Sequence, residues 1–318
     1  MTKIIKQFQG SFYGFLVGDA MGVPVEFCDR ESLINNPVID MLGYGSYDVP
    51  KGSWSDDSSM TIATMDSIIS KNKIDYKDMA DKFLEWINNA KYSSVSYVFD
   101  IGTTTKKALQ RYQGGLNPLE SGLEGINYNG NGSIMRMLPL AFYAKIKNLS
   151  ESEIIDLACD ASSITHRHEI SCIGCYIYIR YVMFLLDGFD RYISYEKIKK
   201  LDYSAFKEEN LKEYRRLLNT DFFNYPLSEI SSSGYVVHTL EASLWCIGNT
   251  DSFKEAIIGA INLGEDTDTI GAITGSLAGI IYGFEDIPKN WINNLQKKDY
   301  INWIYTSFIK TLTNLSVK

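Results

Sequence analysis

Asn262 to Gly283 read NLGEDTDTIGAITGSLAGIIYG. Asp266, Thr267, Asp268 and Thr269 stand together near the front, and glycine then returns at every fourth position, Gly271, Gly275, Gly279 and Gly283. On an α-helix, side chains at i and i+4 share a face, so these glycines form one stripe. An interior glycine costs a helix about 1 kcal/mol against alanine. A helix that carries a stripe of them predicts a neighbour approaching very closely. The acids fall at its N-terminus, where the helix dipole favours negative charge.

The other end of the chain repeats the device. GSFYGFLVGDAMG sets Gly10, Gly14, Gly18 and Gly22 at the same interval, and Glu26 follows. Two striped helices from opposite ends of the sequence are expected to pack backbone to backbone and to deliver acids to one place. A membrane reading of the repeated GxxxG spacing fails on length, because the apolar run from Ile270 to Phe284 is shorter than the ~20 residues of a span.

The chain has 318 residues, 45% hydrophobic and 22% charged, with a net charge of -8, the balance of a soluble globular protein. The short basic runs Lys197–Lys200 and Lys297–Lys298 form no extended patch, so nucleic acid is not an expected partner. Gln7, Gln9 and Asp19 interrupt any leader-like apolar segment. A cytoplasmic protein that does not enter membranes, monomeric, is the expectation. Cys28, Cys159, Cys172, Cys175 and Cys246 are odd in number and scattered, which argues against a disulfide framework. His168, Cys172 and Cys175 share a helical face and allow a zinc reading. Both cysteines lie in the apolar run Ile170–Leu186, and small buried cysteines in helix cores are the stronger reading.

Helical periodicity dominates. Met79, Phe83, Trp86, Ile87 and Ala90 line one face of Tyr76–Tyr92. Helices are also expected over Arg136–Lys147, Glu151–Ile164, Glu169–Leu186, Ala205–Leu218, Tyr235–Ile247, Ser252–Leu263 and Tyr300–Leu315. Only Val38–Leu42 hints at an extended piece. Gly43–Trp54 and Gly114–Gly132 are glycine-rich loops, long enough to expect a functional use. No composition break marks a boundary, so residues 1–318 read as one all-α domain.

In KGSWSDDSSMTIATMDSII, Ser55 suits an N-cap and Asp56 and Asp57 the first turn of a helix. Taken alone, that is ordinary capping, as is the Asp266–Thr269 cluster. Repetition changes the balance. Two clusters of hydroxyls and carboxylates at helix starts, together with Glu26, exceed what capping needs. Brought together they repel one another and raise one another's pKa, a conflict that a divalent cation resolves. Oxygen-only ligands select Mg²⁺ or Mn²⁺ over zinc, and the ligands suffice for two ions. A third element, NYNGNGSIMRMLPLAF, sets Asn129 to Ser133 before an apolar helix. Its backbone N–H groups suit a phosphate, or serve only a turn capped by Ser133. Arg136 reads as a phosphate partner or an ordinary salt-bridge residue.

Taken in order, GFLVGDAMGVPVE, GSWSDDSSM, FDIGTTTKKAL, NGNGSIMRMLPL, THRH, SGYVVHTLEASLW and NLGEDTDTIGAITGSLAGIIYG resemble the motifs of the ADP-ribosylglycohydrolases over nearly the whole chain, the arginine-directed bacterial members included. The resemblance implies a compact, single-domain orthogonal helix bundle with a binuclear Mg²⁺ or Mn²⁺ centre. It implies metal ligands Ser55, Asp56, Asp57, Asp266, Asp268 and Thr269, with Glu26 at the metals. It implies that Gly130, Asn131, Gly132, Ser133 and Met135 line the ADP-ribose diphosphate, with His166, Gly234 and Tyr235 in the same cleft. Asp100, in FDIG, matches the position where arginine-directed members place an acid facing the guanidinium, a planar cation for which a carboxylate is the natural partner. Ser55 stands where many members have threonine, His238 where aspartate is common, and Glu265 replaces a usually small or acidic residue. None of these changes removes a ligand.

The implied reaction is metal-assisted hydrolysis of an N-glycosidic bond in an arginine-linked ADP-ribosylated protein. Asp100 would hold the departing guanidinium, and Asp56, Asp57 or Glu26 would transfer the proton. O-linked or small-molecule ADP-ribosyl substrates are the alternative. A non-catalytic ADP-ribose reader is disfavoured by the intact ligand set. A plug against an ADP-ribosylating toxin usually needs a protruding extension, and the first motif already starts at Gly10.

Overall fold

The computed structural model describes residues 2–316. The longer helices are α1 (Thr2–Gly22), α2 (Asp56–Lys71), α3 (Tyr76–Asn89), α4 (Thr103–Gln113), α5 (Leu138–Lys147), α6 (Glu151–Ser163), α7 (Glu169–Asp187), α8 (Val236–Gly248), α9 (Phe253–Ile261), α10 (Thr267–Ile281) and α11 (Lys298–Ser316). Shorter helical turns join them. Among the described residues there is no β-strand, only isolated bridges between Leu123 and His166 and between Gly130 and Tyr235. The all-α expectation holds.

The centre of the molecule is the antiparallel pair α1 and α10. A Cβ added to Gly10 would run into the carbonyl oxygen of Gly279, one on Gly14 into that of Gly275, and one on Gly18 into that of Gly271. The reverse holds as well, since side chains on Gly271, Gly275 and Gly279 would strike the carbonyls of Gly18, Gly14 and Gly10. The two backbones therefore touch at three glycine pairs of the stripes read in the sequence. Gly22 instead meets the start of α10 at Asp268 N, and Gly283 falls outside the seam, past the end of α10 at a φ of 87° with nothing near an added Cβ. Polar side chains lock the register. Ser11 Oγ donates to Ser276 O at 2.9 Å, and Thr267 Oγ1 donates to Gly22 O at 2.8 Å. The last contact matters for function, because it pins the start of α10 against the end of α1.

Helices α8 and α9 flank α10, α7 packs on α5 and α6, and α11 closes over α2 and α5. Phe8 of α1 meets Phe308 of α11, their ring centres 5.0 Å apart. Helix α7 is long and apolar enough to cross a membrane, and it lies buried inside the protein.

Four local expectations need correction. Ala205–Leu218 is not one helix but a broken series, Glu208–Leu211, Lys212–Tyr214 and Arg215–Asn219. The breaks let buried Tyr214 place its hydroxyl on Ile170 O at 2.7 Å. Val38–Leu42 has no strand partner. The Asn262 side chain serves both backbone groups of Val38 instead, each at 2.9 Å. The helix expected from Arg136 begins at Leu138, with Pro139 in its first turn, the place a proline tolerates best. Helix α4 was not anticipated, because Thr103, Thr104 and Thr105 open it and β-branched residues are weak helix formers.

Candidate active site

Helix α2 begins where α1 directs it. Asp19, fully buried on α1, accepts from Ser55 N at 2.9 Å and from Ser58 N and Oγ at 3.0 and 2.5 Å. The Ser55 hydroxyl caps the helix by accepting from Asp57 N at 3.3 Å. Asp56 and Asp57 thus sit in a first turn held by Asp19, which in the sequence shows only as a charge interrupting an apolar stretch. At the other helix start, Asp266 occupies the N-cap position of α10 but makes no side-chain cap bond. Its Oδ2 accepts from Asn131 Nδ2 at 3.1 Å. Its Oδ1 is buried without a partner, which capping does not explain. The loop before it is tied by Arg30, which donates to the carbonyls of Leu263 at 2.8 Å and Ile230 at 2.6 Å.

Because Gly22 and Thr267 are joined, the two acidic starts converge. Carboxylate oxygens of Asp56, Asp57 and Asp268 lie within 4.8 Å of one another, as do those of Glu26, Asp100 and Asp268. Thr269 Oγ1 donates to Asp57 Oδ2 at 3.3 Å. Oxygens Glu26 Oε2, Asp57 Oδ1, Asp266 Oδ1 and Asp268 Oδ1 are buried without a hydrogen-bond partner. Such groups are costly when left unpaired. Burial first, then like charge, drives the acids toward protonation. Asp56, Asp57 and Asp268 are pushed well above the usual carboxylate range. Glu26 rises to about 10 through burial, Asp100 and Asp266. Asp266 rises to about 6 through burial, against hydrogen bonds from Thr269 and Asn131. Orphaned hard oxygens in a shared negative pocket fit divalent cations of the Mg²⁺ or Mn²⁺ type.

The acids open into a cavity of about 590 Å³. Its lining includes Glu26, Asp56, Asp100, Gly130, Asn131, Gly132, Met135, His166, Gly234, Asp266, Asp268 and Thr269 among the residues singled out from the sequence. The glycine-rich loop is pinned on both sides. Asn131 N donates to Gly234 O and Val236 N to Asn129 O, both at 3.0 Å. A side chain at Gly132 would crowd His166 Cε1 at 2.8 Å and Thr105 Oγ1 at 2.9 Å, so glycine lets the loop pass close to the cavity wall. His166 is held by Thr165 Oγ1 at 2.8 Å from Nδ1. Burial and the nearby Arg136 push its pKa down to about 3, so it is neutral at ordinary pH.

Several expected contacts lie elsewhere. Ser133 is fully buried, and its Oγ accepts from Cys175 Sγ at 3.3 Å, beneath the loop rather than on the cavity lining. Ser55 and Asp57 sit behind the lining in the helix start. Tyr235 shares a backbone bridge with Gly130, while its hydroxyl points away to Glu213 at 2.9 Å. Arg136 is neither a phosphate partner nor an ion-pair residue. Buried whole, it donates to Gly132 O, to Ala161 O at 2.9 Å and to Thr165 Oγ1 at 2.8 Å. It braces the loop from behind. His168 caps α7, accepting from Ile170 N at 3.3 Å. Among the described residues the only groupings close enough for a metal are the two carboxylate sets, so the cysteines take the core reading.

The profile of the ADP-ribosylglycohydrolases matches residues 1–314. The chain is 33% identical over 309 residues to ADP-ribosylarginine hydrolase Tri1 of Serratia proteamaculans (strain 568), covering 95% of this chain and 78% of that one. It is 31% identical over 295 residues to the ADP-ribosyl-[dinitrogen reductase] glycohydrolase of Rhodospirillum rubrum, covering 91% and 90%. A solved ADP-ribosylglycohydrolase-related protein complex superposes with a TM-score of 0.81 at 27% identity, over 98% of this chain and 100% of that chain. On a family match that spans nearly the whole chain and on these relatives, the chain belongs to the ADP-ribosylglycohydrolase family and is an enzyme of that kind.

Proposed function

We propose that this enzyme hydrolyses the N-glycosidic bond of ADP-ribosyl-arginine in a modified protein, with two divalent cations as cofactors. The observation that carries the reading is Asp100 at the cavity, with a carboxylate oxygen within 4.8 Å of those of Glu26 and Asp268. A bound cation pair would activate a water and orient ribose hydroxyls. Asp56, Asp57, Asp266, Asp268 and Thr269 would hold it, with Ser55 fixing Asp57 and Glu26 standing at its edge. The loop Gly130–Gly132 offers backbone N–H groups to the diphosphate. Neutral His166 closes the wall beside it. Asp100 holds the substituted guanidinium through charge-assisted hydrogen bonds. Water oxygen bonds to the anomeric carbon as the carbon–nitrogen bond breaks, and the water proton passes by way of Glu26, Asp56 or Asp57 to the leaving nitrogen, so that arginine departs as a guanidinium. Two relatives named for arginine-linked or dinitrogen reductase substrates support the choice of linkage.

The test is to incubate the protein with arginine-linked and serine-linked ADP-ribosyl substrates, with Mg²⁺, with Mn²⁺ and with chelator. Release of ADP-ribose from the arginine-linked substrate, lost on chelation, is expected. Cleavage of the serine-linked substrate alone overturns the linkage, and undiminished activity in chelator overturns the metal requirement.

A further inference from the structure

We propose that Phe27 and Tyr47 form an aromatic corner that receives the guanidinium side chain of the substrate at the cavity mouth, with Asp100 at its inner end. The inference rests on the arginine-linked reading above. Phe27, Tyr47 and Asp100 all line the cavity. The rings of Phe27 and Tyr47 stand 6.5 Å apart at 59°, and Tyr47 is backed by Phe99 at 5.0 Å. The Tyr47 hydroxyl donates to Asp100 Oδ1 at 2.8 Å, which fixes the carboxylate relative to both rings.

Phe27 is the informative residue. It is 72% exposed, and its backbone holds a φ of 66°, a region that bulky side chains avoid. The conformation is enforced. Phe27 N donates to Glu265 O at 2.7 Å, and Glu265 N donates to Cys28 O at 2.8 Å. Glu265 also has a positive φ, 62°. This double turn sends Glu26 inward to the acids and the Phe27 ring outward over the mouth. A strained residue that displays an apolar ring to solvent gains nothing from packing, and strain of this kind gathers at ligand clamps. A planar cation lying within ~6 Å of an aromatic face is attracted by the ring quadrupole. The corner offers two faces and a carboxylate, the set of groups that recognises a guanidinium.

The experiment titrates agmatine into Mn²⁺-loaded protein saturated with ADP-ribose, following heat or fluorescence, for the wild type and for Phe27→Ala, Phe27→Leu and Phe27→Trp. The exposed position keeps the fold intact in each variant. Agmatine affinity should fall about three- to tenfold in the alanine and leucine variants and be kept in the tryptophan variant, with ADP-ribose affinity unchanged in all. Equal agmatine affinity across the four proteins, or leucine matching tryptophan, overturns the corner. Wild-type protein that binds agmatine through Phe27 yet releases no ADP-ribose from arginine-linked substrate leaves the corner standing and removes the hydrolytic reading. Hydrolysis that proceeds with no response to Phe27 does the reverse.

Discussion

Asp19 Oδ1 accepts a hydrogen bond from the backbone N–H of Ser55 at 2.9 Å, so the central helix α1 sets the position of the first acidic cluster. The same carboxylate takes Ser58 N and Oγ with its second oxygen. Burial raises its pKa to about 7 against the opposing hydrogen bonds from Ser58 and Ser55. Asp19→Ala strands these buried donors, at a cost on the order of 3 kcal/mol. A lower melting temperature and weaker Mn²⁺ binding are expected together. A variant that melts lower but binds Mn²⁺ as the wild type does would show that Asp19 supports the fold and not the site.

The glycine seam predicts asymmetric responses to the same substitution. Gly18→Ala and Gly275→Ala press a methyl into a backbone carbonyl of the opposing helix, and backbone cannot swing aside as a side chain can. Destabilisation of about 1–3 kcal/mol or more is expected. Gly259, in α9, has nothing within 4 Å of an added Cβ. Gly259→Ala should therefore be neutral or stabilise by up to about 1 kcal/mol. Chemical denaturation of the three variants checks the pattern, and equal effects would deny the seam its role.

Asp268 belongs to both carboxylate groupings. Asp268→Ala should thus impair metal binding more than Asp56→Ala, which touches one grouping. Metal content after dialysis and the rise in melting temperature on adding Mn²⁺ report this directly. At free ion a hundred times its Kd, a site present only in the folded state adds about 2.7 kcal/mol, a shift the alanine variant should lose.

Neutral His166 makes stability sensitive to acid. Its folded pKa is near 3, against an ordinary value of 6.5. The unfolded chain takes up the proton between these values and the folded protein does not. The contribution is fully present above pH 6.5 and is lost progressively as pH falls toward 3. By pH 5 the loss is about 2 kcal/mol. His166→Asn, which can still reach Thr165, should narrow the gap in melting temperature between pH 7.5 and pH 5. An unchanged gap would mean that His166 ionises in the folded protein.

The seam and the two acidic helix starts were legible in the sequence because both are repetitive. Glycine at every fourth residue and paired carboxylates beside hydroxyls leave patterns that survive without coordinates. Asp19, Arg30, Arg136 and Tyr47 leave none. Each acts once, through groups distant in the chain, as when Arg136 reaches Ala161 O or Arg30 reaches Leu263 O. A lone arginine after a glycine loop reads as a phosphate ligand, and only burial shows it to be a brace. The side-chain direction of Ser133 was equally hidden, since a hydroxyl beside a glycine turn does not reveal which side of the turn it faces, and this one turns inward to Cys175 Sγ.

Asp100 separates the arginine-linked reading from its alternatives. A guanidinium is planar and permanently charged, and a carboxylate can meet it with two parallel charge-assisted hydrogen bonds. A serine leaving group offers no such partner. Asp100→Asn is a clean probe, because asparagine tolerates the positive φ of 52° found here and can still accept from the Tyr47 hydroxyl that bonds Oδ1 at 2.8 Å. Shape is kept and charge is removed. Loss of a charged hydrogen bond is worth roughly 1.5–3 kcal/mol, so kcat/KM on ADP-ribosyl-arginine should fall by about ten- to a hundredfold or more. ADP-ribose affinity, measured by calorimetry in the same buffer, should hold. Asp100 also lies beside Glu26 and Asp268, so Mn²⁺ content must be measured in parallel. A fall in turnover that tracks lost metal would reassign Asp100 as a ligand, whereas a fall at full occupancy places it on the leaving group. Wild-type turnover in Asp100→Asn would remove the charge argument for arginine while leaving the family assignment intact.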